Sequence, residues 1–334
     1  MKQLCLILIV SLSLLTPGCK RKGDDPATAK CNEALGTIPE MADFLRVHRG
    51  PISAAPLASL QGVEIALTVD WSFESETNPA EKEDDWCYPA SSEDKLNHFL
   101  EALKENRIPP TVNFVVGSSL DSSVEERWLK NGNIAGSLTF NRPRPKANAS
   151  SFIDDISKND ALLVGLWAKY PPPQKYFRYP GFRTPDDPGD RQTTESYLEK
   201  AGYTTVPATI DAKDDKFAQI YCAATARGDS TCASVIVDDY YQLLRDSITR
   251  ARTAASKTAG HDIKQIMVVE TNKFTCDNLK EILARLKTEG VHFIKLDDAL
   301  RDSFYAGSGA EANDRALAIL AKVRDEQLGK TEGE

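Results

Sequence analysis

Short runs of apolar and β-branched residues alternate along the chain with longer segments of mixed character. Runs of about four to eight such residues are typical of strands in a buried sheet. Seven of them are predicted as strands, at residues 63–69, 111–116, 133–139, 176–179, 204–210, 265–269 and 292–296. The intervening segments repeat apolar residues three and four positions apart, as at Leu96, Phe99 and Leu103, which predicts helices with one buried face.

The alternation of strands and helices predicts the fold class. Repeated β/α units imply a parallel sheet with helices packed outside it. We therefore predict an α/β fold, a distorted (β/α)7-type barrel, over residues 61–305. The stretch 217–260 has a helical pattern and is expected to be an insertion rather than a second domain. In such a barrel, functional residues collect at the carboxyl ends of the strands.

The first residues have the pattern of an export signal. Residues 1–18 combine a charged start with a short apolar run, which is typical of a signal peptide and shorter than the roughly 20 residues of a membrane span. The segment from Leu15 to Cys19 resembles a lipobox. We therefore expect an envelope lipoprotein that is lipidated at Cys19 and held at a membrane, facing the periplasm or the exterior.

The remaining terminal segments and the cysteines complete the predicted organisation. Residues 19–60 are expected to form a tether and an amino-terminal segment, and residues 306–334 a helix followed by a disordered tail. Cys222 and Cys232 flank a short polar segment, and in an oxidising compartment we predict that they pair. Two buried thiols are the alternative.

The charge of the chain argues against one class of partner. It carries 49 acidic and 41 basic residues, a net charge of -8, and the basic residues form no stripe. A nucleic-acid-binding protein is expected to show a basic patch. Nucleic acid is therefore not an expected partner.

Several strand ends carry residues that can perform or support chemistry. Asp70 ends the first strand, Arg178 follows the fourth, Asp211 the fifth and Glu270 the sixth. The strings around them are Thr-Val-Asp-Trp-Ser from residue 68, Leu-Thr-Phe-Asn-Arg from residue 138 and Phe-Arg-Tyr-Pro-Gly from residue 177. Their order and spacing are similar to the NodB-homology polysaccharide deacetylases, a carbohydrate esterase family that removes acetyl groups from chitin-like and peptidoglycan sugars.

This resemblance implies a site with altered residues. Asp70 stands at the family's general base, but Trp71 stands where a metal-binding aspartate is found. Leu138 and Arg142 occupy the positions of two histidine ligands, and Glu270 that of a catalytic histidine. A leucine side chain has no lone pair, and a guanidinium has no acceptor site. We therefore expect no metal site and no cofactor.

The resemblance carries over three more positions. Arg178 corresponds to the arginine that steadies the base, and Asp211 and Asp214 correspond to acidic positions after the fifth strand. Together with Asp70 and Glu270 they are the candidate catalytic residues. A purely structural ion pair of Arg178 with Asp70 or Asp211 is the alternative, because breaking a buried pair is costly.

The first functional hypothesis is a degenerate deacetylase-like module that binds a glycan, such as peptidoglycan or a chitin-like polymer, or an envelope protein. The family activity is hydrolysis of carbon–nitrogen bonds other than peptide bonds. Trp71, Phe140, Tyr179 and Phe182 are candidates for stacking on sugar rings. The alternative interpretation of these rings is packing at the mouth of the barrel.

Two further hypotheses keep catalysis. A metal-independent hydrolase would use Asp70, Glu270 and either Asp211 or Asp214 as acid and base, since two carboxylates in different environments can divide these roles. An active metal deacetylase would need carboxylate ligands, which favour hard cations such as magnesium or calcium.

Overall fold

The structure is a computed structural model of the chain. It describes residues 30–31, 59–70, 91–143, 146–211 and 213–327. The predicted signal peptide, the lipidation site Cys19, the aromatic residue Trp71 and the predicted disordered tail lie outside the described residues. Within these ranges, no helix combines the length and the apolar character that a membrane crossing requires.

The described residues form a regular series of strands and helices. The eight strands in this part of the chain are β1 (Glu64–Asp70), β2 (Val112–Val115), β3 (Ile134–Ser137), β4 (Lys175–Phe177), β5 (Tyr203–Thr205), β6 (Ile210–Asp211), β7 (Gln265–Glu270) and β8 (His292–Ile294). The α-helices are α1 (Ser92–Glu105), α2 (Ser122–Lys130), α3 (Ala149–Lys169), α4 (Pro188–Lys200), α5 (Asp214–Ala226), α6 (Ser230–Ala259), α7 (Lys273–Thr288), α8 (Leu296–Leu300) and α9 (Gly309–Gln327).

The strands form one parallel sheet. Its order is β5-β4-β3-β2-β1-β7-β6, and β8 pairs with the first half of β1. Parallel neighbours cannot be joined by a tight hairpin and need a crossover, which the intervening helices provide. The predicted α/β class with a parallel sheet and helices around it is confirmed.

The sheet curves until its two edges approach each other. Only residues 206–209 link β5 at one edge to β6 at the other, and a linker of this length spans at most about 18 Å. Val206 donates its N–H to Phe177 of β4 at 2.7 Å, and Thr209 donates its N–H to Ile266 of β7 at 2.9 Å. The sheet is therefore an incomplete barrel. We call the narrow unpaired gap between β5 and β6 the seam. The distorted barrel is the architecture that the sequence predicted.

The predicted fifth strand, residues 204–210, is not continuous. The structure divides it into β5 and β6, and Pro207 lies between them. Proline has no N–H to donate to a ladder and a fixed φ, so it ends a strand that would otherwise close the barrel. The seam is the structural result of this residue.

The helices follow the predicted apolar spacing. Leu96, Phe99 and Leu103 of α1 are buried, and so is the corresponding face of α7. Helix α1 begins where the Ser91 hydroxyl accepts the N–H of Asp94 and the Asp94 carboxylate accepts the N–H of Ser91. This reciprocal cap satisfies two backbone donors at the helix start.

The predicted Cys222–Cys232 disulfide is wrong. Cys232 is bonded to Cys31, with a Cα–Cα distance of 5.0 Å and a sequence separation of 201 residues. Cys222 lies inside α5, whereas Cys232 lies in the first turn of α6, where its N–H donates to the capping carboxylate of Asp229. The loop between the helices does not bring the two cysteines together, and the bond instead ties the amino-terminal segment to the helix pair.

The remaining helical predictions agree with the structure. The stretch 217–260 contains the rest of α5 and all of α6, and no strand. The predicted terminal helix is α9, which contacts α6, β5 and α4. The domain boundaries themselves stay a prediction.

Candidate functional site

Three carboxylates end three neighbouring strands. Asp70 of β1 lies in register with Glu270 of β7, and Asp211 of β6 lies in register with Val268, two residues before Glu270. Residues in register on parallel strands, and residues two apart on one strand, project from the same face of a sheet. The side chains of Asp70, Asp211 and Glu270 therefore share one face at the carboxyl ends of the strands.

Asp70 forms a buried ion pair with Arg178, which follows β4. The Arg178 Nη1 donates to Asp70 Oδ1 at 2.5 Å. Arg178 is 0% exposed and Asp70 is 8% exposed. Burial raises the pKa of Asp70, and the neighbouring guanidinium opposes that rise. A guanidinium stays protonated in proteins, so Arg178 places a positive charge beside the Asp70 carboxyl group. The predicted partnership of the two residues is present.

Arg178 also fills the seam of the barrel. Its Nε donates to the carbonyl of Val206 at 3.1 Å, and its Nη2 donates to the carbonyl of Pro207 at 3.4 Å. The guanidinium carbon lies 4.1 Å from the ring centroid of Phe114, a distance typical of a cation–π contact. The Arg178 side chain thus donates hydrogen bonds to two carbonyls that lie between β5 and β6, and it also places its charge beside Asp70.

Two further carboxyl groups, those of Asp214 and Glu270, lie beside the ion pair. Asp214, at the start of α5, is buried, and its Oδ2 accepts the backbone N–H of Glu270 at 2.9 Å and the side-chain N–H of Asn272 at 2.7 Å. Burial raises the pKa of Asp214, and these donors oppose the rise. Burial and the charge of Asp214 raise the pKa of Glu270. Glu270 and Asp214 therefore both retain a proton more readily than an exposed carboxyl group does.

Asp211 is held by the residue two positions later. Lys213 adopts a left-handed conformation with φ 59°, donates its N–H to Asp211 Oδ1 at 3.1 Å and pairs its Nζ with Asp211 Oδ2. Burial lowers the pKa of Lys213, but the Asp211 carboxylate more than offsets this and the pKa is raised. The left-handed conformation of Lys213 thus brings its ammonium group close to the carboxylate of Asp211.

The loop after β3 contains the residues that the sequence resemblance set against the histidine motif of the deacetylases. Leu138 is buried with 3% of its surface exposed, and Arg142 is close enough for its charge to lower the pKa of Asp70. Thr139 and Arg142 have φ of 86° and 54°, which side chains with a Cβ rarely adopt. Asp155 stabilises this loop by accepting two backbone N–H groups, from Phe140 and the residue after it, each at 2.8 Å.

These residues do not fit a hydrolytic metal ion. The guanidinium of Arg142 places a positive charge near Asp70, and neither it nor the isobutyl group of Leu138 offers a lone pair to a cation. Among the described residues, no group of three or more His, Cys, Asp and Glu side chains is arranged to hold a metal ion. A role for Asp70, Asp211 and Glu270 as a carboxylate metal site therefore has no geometric support in this part of the chain.

The aromatic residues predicted to stack on sugars differ in how far they are exposed. Tyr179 is fully buried and packs against the rings of Phe152 and Phe177, at centroid distances of 6.0 and 5.0 Å. The prediction that Tyr179 stacks on a sugar is wrong, because its ring faces the core rather than the mouth of the barrel. Phe140 and Phe182 are partly exposed.

Sequence reasoning missed three residues that shape this site. Lys213 neutralises Asp211, Asn272 supports Asp214, and Asp155 holds the loop after β3. Only Asn272 had a local signal, since an asparagine three residues before Thr275 is a helix-capping pattern. Asp155 binds a loop 15 residues away, and Lys213 reaches Asp211 because its own backbone is left-handed. Residue spacing reveals neither contact.

The sequence matches no protein-family profile and no curated protein. Several solved structures are similar to the chain. A peptidoglycan N-acetylglucosamine deacetylase is 16% identical with a TM-score of 0.47, covering 73% of this chain and 89% of that chain. A CE4 family pseudoenzyme from Bacillus anthracis is 13% identical with a TM-score of 0.44, covering 73% of this chain and 66% of that chain.

A third similar structure is the chitin deacetylase from the fungal pathogen Colletotrichum lindemuthianum. It is 17% identical with a TM-score of 0.45, covering 76% of this chain and 95% of that chain. These structures represent the family that the sequence resembles, and at such identities the likeness concerns the fold.

Proposed function

We propose that this protein is a deacetylase-like envelope lipoprotein that binds an acetylated glycan, such as peptidoglycan or a chitin-like polymer, without metal-dependent hydrolysis. The observation that carries the proposal is the state of Asp70. Its carboxylate is buried, bonded to Arg178 and approached by the charge of Arg142. Arg178 matches the arginine that steadies the base in the family, so the charge of Arg142 is the feature that sets Asp70 apart, because it disfavours a catalytic cation beside this carboxyl group.

The chemistry of the loop after β3 supports the same proposal. Metal-assisted hydrolysis needs a cation that lowers the pKa of a bound water from 15.7 to about 7. Leu138 offers no lone pair and Arg142 repels a cation. Phe140, in the same loop, is partly exposed and is the candidate for stacking on a sugar ring.

Isothermal titration with N-acetylated chitooligosaccharides and with soluble peptidoglycan fragments tests the binding role. We expect one of these glycans to bind the full chain and Phe140→Ala to weaken it about tenfold, since one stacked ring contributes about 1 kcal/mol or more. Tyr170→Ala is the matched control, because Tyr170 is partly exposed at the opposite end of the barrel, beside the residues that precede β2. Absence of binding to both glycans would refute the proposal.

Acetate release and elemental analysis of the same preparation test the loss of hydrolysis. We expect no acetate from acetylated chitooligosaccharides, with or without added zinc or cobalt, and less than stoichiometric metal. Stoichiometric metal together with acetate release would show an active deacetylase with unexpected ligands.

A second candidate function is metal-independent hydrolysis, and the state of Glu270 favours it. Burial and the charge of Asp214 raise the pKa of Glu270, so it is suited to donate a proton. Asp70 or Asp211 would be the partner carboxylate. Glycan cleavage by the wild-type chain that Glu270→Gln abolishes, with glycan binding unchanged, would favour this candidate over simple binding.

We also propose that residues 1–18 are removed and that Cys19 carries the lipid that holds the protein at an envelope membrane. The support is the apolar run that ends at Gly18 and Cys19. Metabolic labelling with a fatty acid should label the wild-type chain and not Cys19→Ala. Equal labelling of both chains would remove the lipid anchor from the proposal.

A further inference from the structure

A cavity of about 710 Å³ lies between the barrel and the terminal helix α9. Its walls come from the turn after β4, from β6 and the start of α5, and from α6 and α9. Small-molecule sites typically have volumes of about 300–1,000 Å³. Helix α9 lies beyond the residues that resemble a deacetylase, so the proposed glycan function does not account for this space.

The deep wall of the cavity is apolar. It is formed by Ile210, Leu243, Leu317, Leu320 and Val323. Leu317 and Leu320 are only partly buried, although the neighbouring residues of the same helix pack into the core. Concave apolar surface that the described residues do not cover favours an apolar ligand.

The mouth of the cavity is cationic. Four exposed cations line it, in contrast to one carboxylate, Asp211: they are Arg183, Lys213, Lys216 and Arg324. Three of the cations pair with nearby carboxylates, as in the Lys216–Asp215 pair at 3.3 Å. Arg183 makes no ion pair with any residue that the structure describes. Arg183 is therefore the cation at this opening that is left for an anionic ligand.

We propose that this cavity binds an amphiphilic anion, with its apolar chain between α6 and α9 and its head group at Arg183. A carboxylate and a phosphate head group share the required chemistry, because a guanidinium binds both. A sugar does not suit the apolar wall, and a cationic amphiphile does not suit the mouth. The cavity and the proposed glycan site share Asp211 and Phe182, but the lining residues of α6 and α9 belong to the cavity alone.

Calorimetric titration of the full chain tests the ligand class. The probes are dodecanoate, dodecyl phosphate and dodecyltrimethylammonium below their micelle concentrations, with acetate and inorganic phosphate as head groups without a chain. We expect at least one long-chain anion to bind at least tenfold more tightly than the cation and than its own head group. Equal binding of cation and anion, or no binding of either anion, would overturn the proposal. The stronger of the two anions identifies the head group.

Two variants locate the site. Leu320→Glu places a charge on the apolar wall, and Val164→Glu is its control on an apolar residue that is 60% exposed on α3. Arg183→Glu reverses the charge at the mouth, and Arg227→Glu is its control at the exposed end of α5. We expect the cavity variants to weaken anion binding at least tenfold and the controls less than twofold. If Leu320→Glu fails to fold, Arg183→Glu decides, and its unchanged affinity would overturn the proposal.

Discussion

Glu125 provides a direct test of how burial sets charge in this fold. It lies on α2 with 1% of its surface exposed, and its Oε2 accepts the side-chain N–H of the fully buried Asn113 of β2 at 2.8 Å. Glu125 Oε1 and Asn113 Oδ1 have no hydrogen-bond partner among the described residues. A buried carboxylate with one unpartnered oxygen is costly, so burial favours the neutral acid. Glu125→Gln makes that neutral state permanent with almost no change of shape.

The size of the effect follows from the pKa of Glu125. Burial raises it from 4.5 to about 8, and the hydrogen bond from Asn113 only partly opposes the rise. A tenfold change in an acid constant corresponds to about 1.4 kcal/mol, so the full difference corresponds to about 4–5 kcal/mol. The native state keeps a proton that the unfolded state loses above pH 4.5. Stability therefore falls as the pH rises from 4.5 to 8.

Urea unfolding of the wild type and Glu125→Gln at pH 5, 6.5 and 8 measures this dependence. The free energy of unfolding of the variant, minus that of the wild type, should grow by about 3–4 kcal/mol between pH 5 and pH 8. The control is Glu199→Gln, because Glu199 is exposed on α4 and should give a difference that does not vary with pH. Equal pH dependence in the wild type and Glu125→Gln would refute the assignment of a buried proton to Glu125.

Three other substitutions have expected outcomes that unfolding experiments can check. Asp70→Asn leaves Arg178 buried without its counter-ion and should lower the free energy of unfolding by about 3–5 kcal/mol, whereas less than 1 kcal/mol would mean that the pair is not buried in solution. Replacing Cys31 and Cys232 by serine should cost about 2–5 kcal/mol under oxidising conditions, and an unchanged thermal midpoint would contradict the bond. Gly136→Ala places a Cβ 2.9 Å from a phenylalanine ring and should cost about 1–3 kcal/mol, which a neutral effect would disprove.

Much of the architecture was accessible from the sequence because it depends on local pattern. Strands β1 and β7 are almost wholly buried, so their apolar runs differ clearly from the helical segments around them. Their register brings Asp70 and Glu270 side by side, and this proximity follows from both residues ending parallel strands. The pairing of Asp70 with Arg178 was inferred from the family resemblance, and the structure contains it.

The remaining features depend on contacts between distant parts of the chain. The orientation of the Tyr179 ring is fixed by packing against α3 and β4, which an aromatic residue at a strand end does not reveal. The disulfide joins Cys31 to Cys232 across 201 residues, so loop length gave the wrong partner. Pro207 is plain in the sequence. Its interruption of the strand could not be predicted without knowing that the two edges of the sheet approach each other at this residue.

The seam explains why Asp70 and Arg178 can be present in a site that does not fit a metal. Without Arg178, the carbonyls of Val206 and Pro207 would lie in the core with one donor fewer, and buried polar groups without partners are costly. A buried guanidinium in turn requires a counter-ion, and Asp70 on the central strand supplies it. The pair is therefore required by the closure of the barrel, whether or not the site catalyses a reaction.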